Sequence, residues 1–463
     1  MQRPTIRALG ALLALVLLVV ACGDVTDESV EEPADDAADE AADEAVEQTP
    51  LGDTEVLRMA TIGGGLYEEM YARLPDFTAE TGIEVEIVFL GDGFQIDRKI
   101  KQDFAAGTLD YDVMWNHTSF AAQYVDFVEP LDAYLTDEDL ADFTDLVIET
   151  SRHDGALQLL PRHADISVMH YRTDLFEDAD NQAAFEAEYG YELRPPETWD
   201  EYYDVAEFFA SPPELFGTQF AGKEEALAGR YYEQLVAHGG QFFDDDWRPA
   251  FNDEVGVRVA QDFANAYQNG VVPSDVTSLV WDGVAANWCS NLIAVHNEWY
   301  GWYSHFQDPE SCEVAGNFGL ARQPVGDAGV HSGWAGAHGF AVTATSENKE
   351  AAVELVKFLT SEEVLYEEAS LGFLPVRDSV WDRIIADAEG SDEPLDLERM
   401  EIARVQIEED FFTPPLIAEW IEFTNIFYPE LQRIILGDID AQEGLDEAAE
   451  QTERMLEEAG YYE

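Results

Sequence analysis

Apolar and polar residues follow two different periods at the start of the predicted folded body. Strand-like apolar runs cover residues 55–62, 83–90 and 111–115. The segments between them, residues 66–81 and 95–106, repeat apolar positions at helical spacing. Strand, helix, strand, helix, strand is the order expected of a sheet with parallel strands, so this pattern predicts an α/β fold.

The same patterns return further along the chain. Residues 156–171 and 336–343 have strand-like composition, whereas residues 198–210 and 348–360 have the apolar stripe of an amphipathic helix. From residue 398 to the end the chain is predicted to be almost wholly helical. The sequence contains no internal repeat, and its length is enough for two or three domains of ordinary size.

The charge of the chain is strongly negative. Asp and Glu total 97 against 24 Lys and Arg, for a formal net charge of -73. This excludes a nucleic-acid binder with a general basic surface and argues against a basic patch for anionic lipid. Concentrated salt screens the repulsion between such charges, so we interpret the protein as adapted to a salty medium. An acidic protein of ordinary salinity is the alternative.

The N-terminus resembles an export signal. Arg3 and Arg7 precede an uncharged, mostly apolar run over residues 8–21, which is short for a membrane span. The run ends in Val-Val-Ala before Cys22, which resembles a bacterial lipobox. Residues 1–21 are therefore predicted to be a lipoprotein signal peptide, with lipid attached to Cys22. An ordinary signal peptide followed by an accidental cysteine is the alternative.

Residues 22–53 are predicted to be an acidic, disordered tether between the anchor and the folded body. Residues 23–50 hold 12 acidic residues, no basic residue and no aromatic residue. An Ala- and Glu-rich segment can also form a helix, but like charges at neighbouring helical positions disfavour it.

Two cysteines remain in the body, Cys289 and Cys312. In an exported protein an isolated pair predicts a disulfide, with two buried thiols as the alternative. Neither cysteine has a near-spaced cysteine partner, and the nine histidines are scattered without the spacing of metal ligands. We therefore expect neither a metal nor a cofactor.

Six segments together resemble family 1 of the extracellular solute-binding proteins of ABC importers, which includes maltose-binding and other sugar-binding proteins. Their order and spacing over residues 55–460 carry the resemblance, since no single segment is specific. One departure is Leu109-Asp110, where the family often has Pro-Asp. The segments are residues 76–85 (DFTAETGIEV), 104–113 (FAAGTLDYDV), 160–176, 195–201 (PPETWDE), 350–361 (EAAVELVKFLTS) and 372–377 (GFLPVR).

The resemblance implies a two-lobe periplasmic-binding-protein-like α/β fold of class II type, with a hinge between the lobes. It implies an N-terminal lobe over residues 55–152 plus 337–385 and a C-terminal lobe over residues 153–336 plus 386–463. It also implies a monomer, held on the extracellular face of the cell membrane by its lipid, that passes its solute to the transmembrane subunits of an ABC permease.

A sugar-binding cleft needs flat aromatic rings against C–H faces and polar side chains for hydroxyl groups. Candidates follow a predicted strand at residues 115–118, form the densest aromatic run at residues 297–303, or lie in the glycine-rich run at residues 332–339. For each of them ordinary packing is the alternative. The predicted ligand contacts are Tyr67, Trp115, Asn116, His117, Asp165, Tyr232, Glu298, Trp299, Trp334 and Trp420.

Other functions stay open at this point. Polyamines would suit an acidic, aromatic-rich cleft, and glycerol phosphates would need converging arginines such as Arg162 and Arg377. Ferric iron would need clustered tyrosines. A secreted glycoside hydrolase and a structural surface lipoprotein are alternatives from other classes. The sequence contains no HExxH, GxSxG or Walker motif, so we expect a receptor and no enzyme.

Overall fold

Two long strands run side by side through the middle of one mixed sheet. The computed structural model describes residues 53–462. The strands in this part of the chain are β1 (Val56–Ile62), β2 (Glu84–Gly91), β3 (Val113–His117), β4 (Arg152–His153), β5 (Ala156–Leu157), β6 (Leu160–Arg172), β7 (Val295–Trp299), β8 (Phe318–Ala321), β9 (Gly333–Val342) and β10 (Phe411–Phe412).

Helices lie between most of the strands and make up nearly all of the described chain after β9. The α-helices of residues 53–462 are α1 (Leu74–Thr81), α2 (Gly93–Ala106), α3 (Thr118–Ala121), α4 (Asp137–Leu140), α5 (Asp145–Thr150), α6 (Thr173–Phe176), α7 (Ala179–Tyr189), α8 (Trp199–Phe209), α9 (Glu224–Ala237), α10 (Glu254–Gln268), α11 (Trp281–Cys289), α12 (Tyr303–Gln307), α13 (Lys349–Leu359), α14 (Glu362–Ser370), α15 (Asp378–Glu389), α16 (Pro394–Glu409), α17 (Trp420–Ile435) and α18 (Ala441–Glu458). Short 3₁₀ segments link several of them, at Gly65–Arg73, Ala122–Tyr124, Leu131–Ala133, Val276–Ser278 and Tyr300–Trp302.

The sheet runs in the order β2-β1-β3-β9-β6-β7, with β10 added beside β9 and β8 beside β6. β1 pairs in parallel with β2 and β3, as the alternation of strands and helices predicts. The strands β3, β9, β6 and β7 pair antiparallel. The mixed α/β class is confirmed, and the parallel pairing is confined to the first three strands and to β10.

The first predicted helix differs from the observed one. Residues 66–81 form a 3₁₀ segment, Gly65–Arg73, followed by the shorter helix α1. Pro75 lies in the first turn of α1 and has no backbone N–H, so it fits a helix start but disfavours one continuous α-helix through this point. Helix α2 has Asp92 as its N-cap residue, and Asp92 and Gln95 form a capping box that fixes the start of the helix.

Two large hydrophobic clusters make up most of the core. One cluster packs on β6 and β9, where the alternating residues Ile166, Val168, Ala335 and Ala337 are almost completely buried. The second is formed by helices α9, α10, α17 and α18. Ile421 of α17 packs against this second cluster and also against the cluster beneath α2, so the two clusters meet at this side chain.

A disulfide joins Cys289, at the end of α11, to Cys312 in the loop before β8. Both cysteines are buried in the core cluster that packs on β6. The pairing predicted from the sequence is present, and closing a loop of this length stabilises a fold by about 3 kcal/mol in the chain-entropy account.

The predicted signal peptide, Cys22 and nearly all of the predicted tether lie outside the described residues. Among the helices of residues 53–462, none has the length and apolar character needed to cross a membrane.

Glu225 in the first turn of α9 is buried without a cationic partner among the described residues. Its Oε1 accepts a hydrogen bond from the indole Nε1–H of Trp420 at 2.7 Å. Burial raises the pKa of Glu225 to about 7, and the charge of nearby Asp97 adds to this. The folded state therefore keeps a proton that the unfolded chain has lost, so Glu225 makes folding less favourable as pH rises from about 4.5 to about 7.

We expect Glu225→Gln to be more stable than the wild type above neutral pH. The amide keeps an acceptor oxygen for Trp420 and cannot ionise, so the stability gain should grow with pH. Each unit of pKa difference removed is worth about 1.4 kcal/mol. Denaturant unfolding between about pH 5 and about pH 8 at constant salt measures this. Glu214→Gln, at an exposed position, is the control and should show no such trend. A variant whose unfolding curve tracks that of the wild type at every pH would contradict the assignment.

Candidate functional site

The strands β6 and β9 bring the two groups of candidate residues together. Asp165 of β6 pairs directly with Gly336 of β9. Trp334 lies two residues before Gly336 and therefore on the same face of the strand. A Cβ atom at Gly336 would lie 2.7 Å from the ring of His117, and one at Gly229 of α9 would enter the Trp334 ring. Glycine at these two positions allows β3 and α9 to approach β9 closely.

The first group, which we call the histidine cluster, consists of Tyr67, His117, His163, Asp165 and His338. The His338 ring lies 4.5 Å from His163 and 4.8 Å from His117, measured between centroids. Tyr67 stacks on His338 with centroids 5.3 Å apart. Asp165 Oδ2 lies 2.8 Å from His338 Nε2. Four separate segments of the chain supply these five side chains.

Burial and mutual contact set the charges of the histidine cluster. Burial lowers the pKa of His117 to about 3 and lowers that of His338, so both imidazoles are neutral near pH 7. Burial alone would raise the pKa of Asp165, but its contacts with His338 and the other histidines outweigh this and lower it. The cluster therefore presents one carboxylate among neutral rings.

Trp115 and Asn116 lie behind this cluster. The Trp115 ring is only 1% exposed, and its indole N–H donates to Nδ1 of His338 at 3.0 Å. Asn116 is fully buried, and its Oδ1 accepts from the backbone N–H of His117 at 2.8 Å. Both residues therefore hydrogen-bond to a histidine of the cluster, and neither has a side chain open to solvent.

The second group, which we call the tryptophan cluster, consists of Trp281, Trp299, Trp334 and Arg230. Centroids of the three indoles are 5.2 to 5.8 Å apart. The Arg230 guanidinium lies 5.0 Å from the centroid of Trp299 and 5.3 Å from that of Trp281. Trp281 and Trp299 are half-buried, whereas Trp334 is 4% exposed. The cluster thus offers two partly open aromatic faces over a fixed cation.

Two buried carboxylates hold Arg230. Its Nη1 lies 2.8 Å from Glu233 Oε1, and its Nη2 lies 3.5 Å from Glu298 Oε1. Glu233 also accepts from the Ser167 hydroxyl and from the backbone N–H of Trp334, which ties α9 to both long strands. Burial raises the pKa of Glu298 to about 7, although the Arg230 guanidinium acts in the opposite direction. Glu298 is fully buried beneath the tryptophans.

Two predicted contacts are not brought to either cluster. The Tyr232 hydroxyl donates to the backbone oxygen of Thr413 at 2.9 Å, and its ring stacks on Phe242. Trp420 is fully buried, packs against Phe242 and bonds to Glu225. Both side chains belong to the core formed by α9 and α17.

Four residues of the two clusters were not among the predicted contacts. They are His163, Arg230, Trp281 and His338. His163 and His338 lie two or four residues from predicted contacts, so extending those segments would have included them. Nothing in the sequence separates Arg230 and Trp281 from the residues of an ordinary amphipathic helix.

The arginines that could serve an anionic ligand are already paired. Arg162 is 1% exposed, and its guanidinium binds Glu368 through Nε at 2.9 Å. Arg377 bonds to Asp142 and to the backbone oxygen of Thr360. The side chains of His117, Asp165 and His338 offer ligand atoms within 4.8 Å of one another, which is the spacing of a possible metal site.

Comparison with known proteins agrees with this architecture. A galactooligosaccharide-binding protein of Bacillus subtilis is 26% identical over 66% of this chain and 68% of its own length. A probable amino-acid ABC transporter periplasmic-binding protein of Sinorhizobium fredii is 25% identical over 69% of this chain and 72% of its own. The structure of maltose-bound MalE3 of T. maritima superposes with a TM-score of 0.74 at 22% identity, covering 87% of this chain and all of that one.

The sequence pattern of one family, described as bacterial extracellular solute-binding protein, matches residues 60–365. This range begins in β1 and ends in α14, so it includes β6, β9 and both clusters. The two-lobe, sugar-binding-protein-like architecture expected from the resemblance is confirmed by the superposition. This chain belongs to the bacterial extracellular solute-binding protein family.

Proposed function

We propose that this protein is the extracellular receptor of an ABC importer for a neutral sugar or sugar alcohol. The observation that carries the proposal is the tryptophan cluster, with two partly open indoles beside the strands that connect the two halves of the molecule. Sugars present flat C–H faces, which pack on indole rings, and hydroxyl groups, which need nearby donors and acceptors.

Two alternative ligand classes fit the clusters less well. A polyamine would need the aromatic faces and carboxylates for its own cations, but those cations would lie beside the Arg230 guanidinium, which already packs on one face of Trp281 and of Trp299. A glycerol phosphate would need a free arginine, and Arg162 is buried against Glu368. A neutral ligand avoids both conflicts.

A hydrolase with Glu233 and Glu298 as its acid pair is also disfavoured. Both side chains are almost completely buried and both contact Arg230, so neither carboxylate is open to a glycosidic bond. We propose that the pair holds Arg230 under the tryptophans and that the protein returns its ligand unchanged.

We propose that the lobes divide within the two long strands. β6 pairs with β9 up to Ile166, and from Ser167 onward it pairs with β7. This pairing supports a crossing near residue 166 on β6, later than the 152/153 boundary predicted from the sequence. On β9 we place the crossing near residue 335, beside the boundary at 336/337 expected from the sequence. Ligand binding would favour the closed arrangement of the lobes, which a monomer then presents to the permease.

Replacing Trp299 by Ala should weaken sugar binding at least tenfold, because it removes one open indole face and leaves the core intact. A thermal-shift panel of maltose, galacto-oligosaccharides, D-mannitol, polyamines and amino acids identifies the ligand. A ligand present at 100 times its Kd adds about 2.7 kcal/mol to the free energy of unfolding. Calorimetric titration then compares the variants, and chromatography of the mixture tests for any product.

Trp247→Ala is the matched control, since it removes an equally large ring from an exposed position. We expect wild-type affinity for it. Equal Kd values for Trp299→Ala and the wild type would contradict the proposed contact. A melting shift with amino acids or polyamines alone would support the receptor function but contradict the proposed sugar ligand.

We propose that Cys22 carries the lipid that holds the receptor at the cell surface. Cys22→Ala should move the protein from the membrane fraction to the culture medium, because the attachment thiol is lost. Val19→Leu, which brings the lipobox closer to its commonest form, is the control and should stay in the membrane fraction. Retention of Cys22→Ala in washed membranes would contradict lipidation at this cysteine.

We also propose that the folded body is adapted to concentrated salt. Residues 51–463 contain 85 acidic and 22 basic residues, and a screening length of about 3 Å at 1 M salt would relieve their repulsion. The melting temperature should rise steeply with KCl and with NaCl alike. Sucrose, which adds no ions, is the control. A melting temperature that sucrose raises as much as KCl does would contradict charge screening as the cause.

A further inference from the structure

Two imidazoles of the histidine cluster have their tautomers determined by groups that can only donate. The Trp115 indole N–H points to Nδ1 of His338 at 3.0 Å. The backbone N–H of Ser119 points to Nδ1 of His117 at 3.1 Å. An indole N–H and a backbone N–H have no acceptor function, so both Nδ1 atoms must offer lone pairs. In the neutral rings the proton is therefore on Nε2 of His117 and of His338.

The third imidazole has the opposite tautomer. Nδ1 of His163 lies 2.9 Å from Glu368 Oε1, and that carboxylate is also bound by Arg162. An ionised carboxylate accepts, so Nδ1 of His163 carries a proton, and in the neutral ring Nε2 then carries a lone pair. This Nε2 is buried, has no hydrogen-bond partner among residues 53–462, and lies 3.8 Å from Asp165 Oδ1.

These tautomers argue against a metal ion in the cluster. A metal would need lone pairs on Nε2 of both His117 and His338, where the protein places protons. Freeing them would require the two Nδ1 atoms to become donors facing the N–H groups of Trp115 and Ser119. The short distances among the three candidate ligands are thus those of a hydrogen-bonded set.

We propose that the histidine cluster is a clamp for hydroxyl groups of a neutral polyol. His117 supplies an N–H donor, whereas Asp165 and His163 Nε2 supply acceptors. A hydroxyl group can donate and accept at once, so adjacent hydroxyls of one sugar ring or sugar alcohol satisfy this set. The buried Nε2 of His163 has no hydrogen-bond donor among the described residues, which destabilises the ligand-free protein, and a ligand hydroxyl would remove this penalty. This inference rests on the proposed sugar-receptor function and names its polar subsite.

The clamp should favour neutral ligands over sugar acids. The carboxylate of Asp165 is the charged group of the cluster, because Arg162 behind it is neutralised by Glu368. A carboxylate or phosphate on the ligand would meet the Asp165 carboxylate and the lone pair of His163 Nε2, with no free cation beside them in the described part of the chain.

The tautomers are measured first, on the ligand-free protein labelled with ¹⁵N-histidine. His117→Gln and His338→Gln assign the two signals, and long-range ¹H–¹⁵N correlation reports which nitrogen carries the proton. We expect Nε2–H for both rings and no change on adding Zn²⁺. Nδ1–H tautomers, or stoichiometric Zn²⁺ binding that is lost in His338→Gln, would overturn the clamp in favour of a metal site, whatever the solute proves to be.

Binding is then compared in Trp115→Phe, which keeps an aromatic ring but removes the N–H that orients His338. We expect at least a fivefold loss of affinity for the neutral sugar identified by thermal shift, together with mixed His338 tautomers. Trp199→Phe is the matched control, since it removes a buried indole N–H that has no partner among the described residues. It should bind as the wild type does.

Asp165→Asn tests the charge of the clamp with D-glucose and D-glucuronate, and with D-galactose and D-galacturonate. We expect the affinity for the neutral sugar to fall at least tenfold. The ratio of the affinity for the neutral sugar to that for its acid should become smaller. Neutral-sugar binding that is equally tight in wild type, Trp115→Phe and Asp165→Asn would overturn the clamp and leave the receptor function standing. Binding of no neutral polyol to the wild type would overturn both.

Discussion

The antiparallel pairing of β6 with β9 is the contact on which both the architecture and the site depend. β9 pairs with β3 on its other side and β6 pairs with β7, so the β6–β9 contact joins the two parts of the sheet. One face of the pair carries small buried residues, such as Ala164, Ala335 and Ala337, which pack into the core. Because side chains alternate along a strand, the positions between these residues face the other side of the sheet, and Asp165, Gly336 and Trp334 occupy them. A slip of one residue in register would bury the polar set and expose the core set.

Each cluster is held by a buried arginine that is neutralised by carboxylates. Arg162 pairs with Glu368 behind the histidines, and Arg230 pairs with Glu233 beneath the tryptophans. Removing one member of such a pair leaves a buried charge, which costs about 3 to 5 kcal/mol. These arginines therefore act as fixed supports that orient the rings above them, and they are not free to bind an anionic solute.

The electrostatics of the site differ from those of the chain as a whole. The formal net charge of -73 describes a surface crowded with carboxylates. Inside, burial raises the pKa of Glu298 to about 7 and keeps the imidazoles of His117 and His338 neutral. Hydrogen bonds in a site enclosed in this way are screened by salt much less than contacts on the acidic surface are.

The local sequence was sufficient to predict β1, α2, β3 and α13, because their apolar periods and caps act over a few residues. It did not predict the break in the first helix, where Pro75 divides the segment into a 3₁₀ turn and α1. Aromatic content pointed to Trp299 and Trp334 but equally to Trp420, which the structure encloses in the core.

The sequence by itself determined the α/β class, the acidic surface and the family, and it favoured a disulfide between the two body cysteines, which the structure contains. The tertiary structure alone decided which side chains meet. Tyr67, His117, His163 and His338 come from four distant segments, and the tautomers of the histidines depend on Trp115, Ser119 and Glu368. Residue type states what a side chain can donate or accept, whereas its direction and its neighbours are set by strand register and packing, which join positions more than two hundred residues apart.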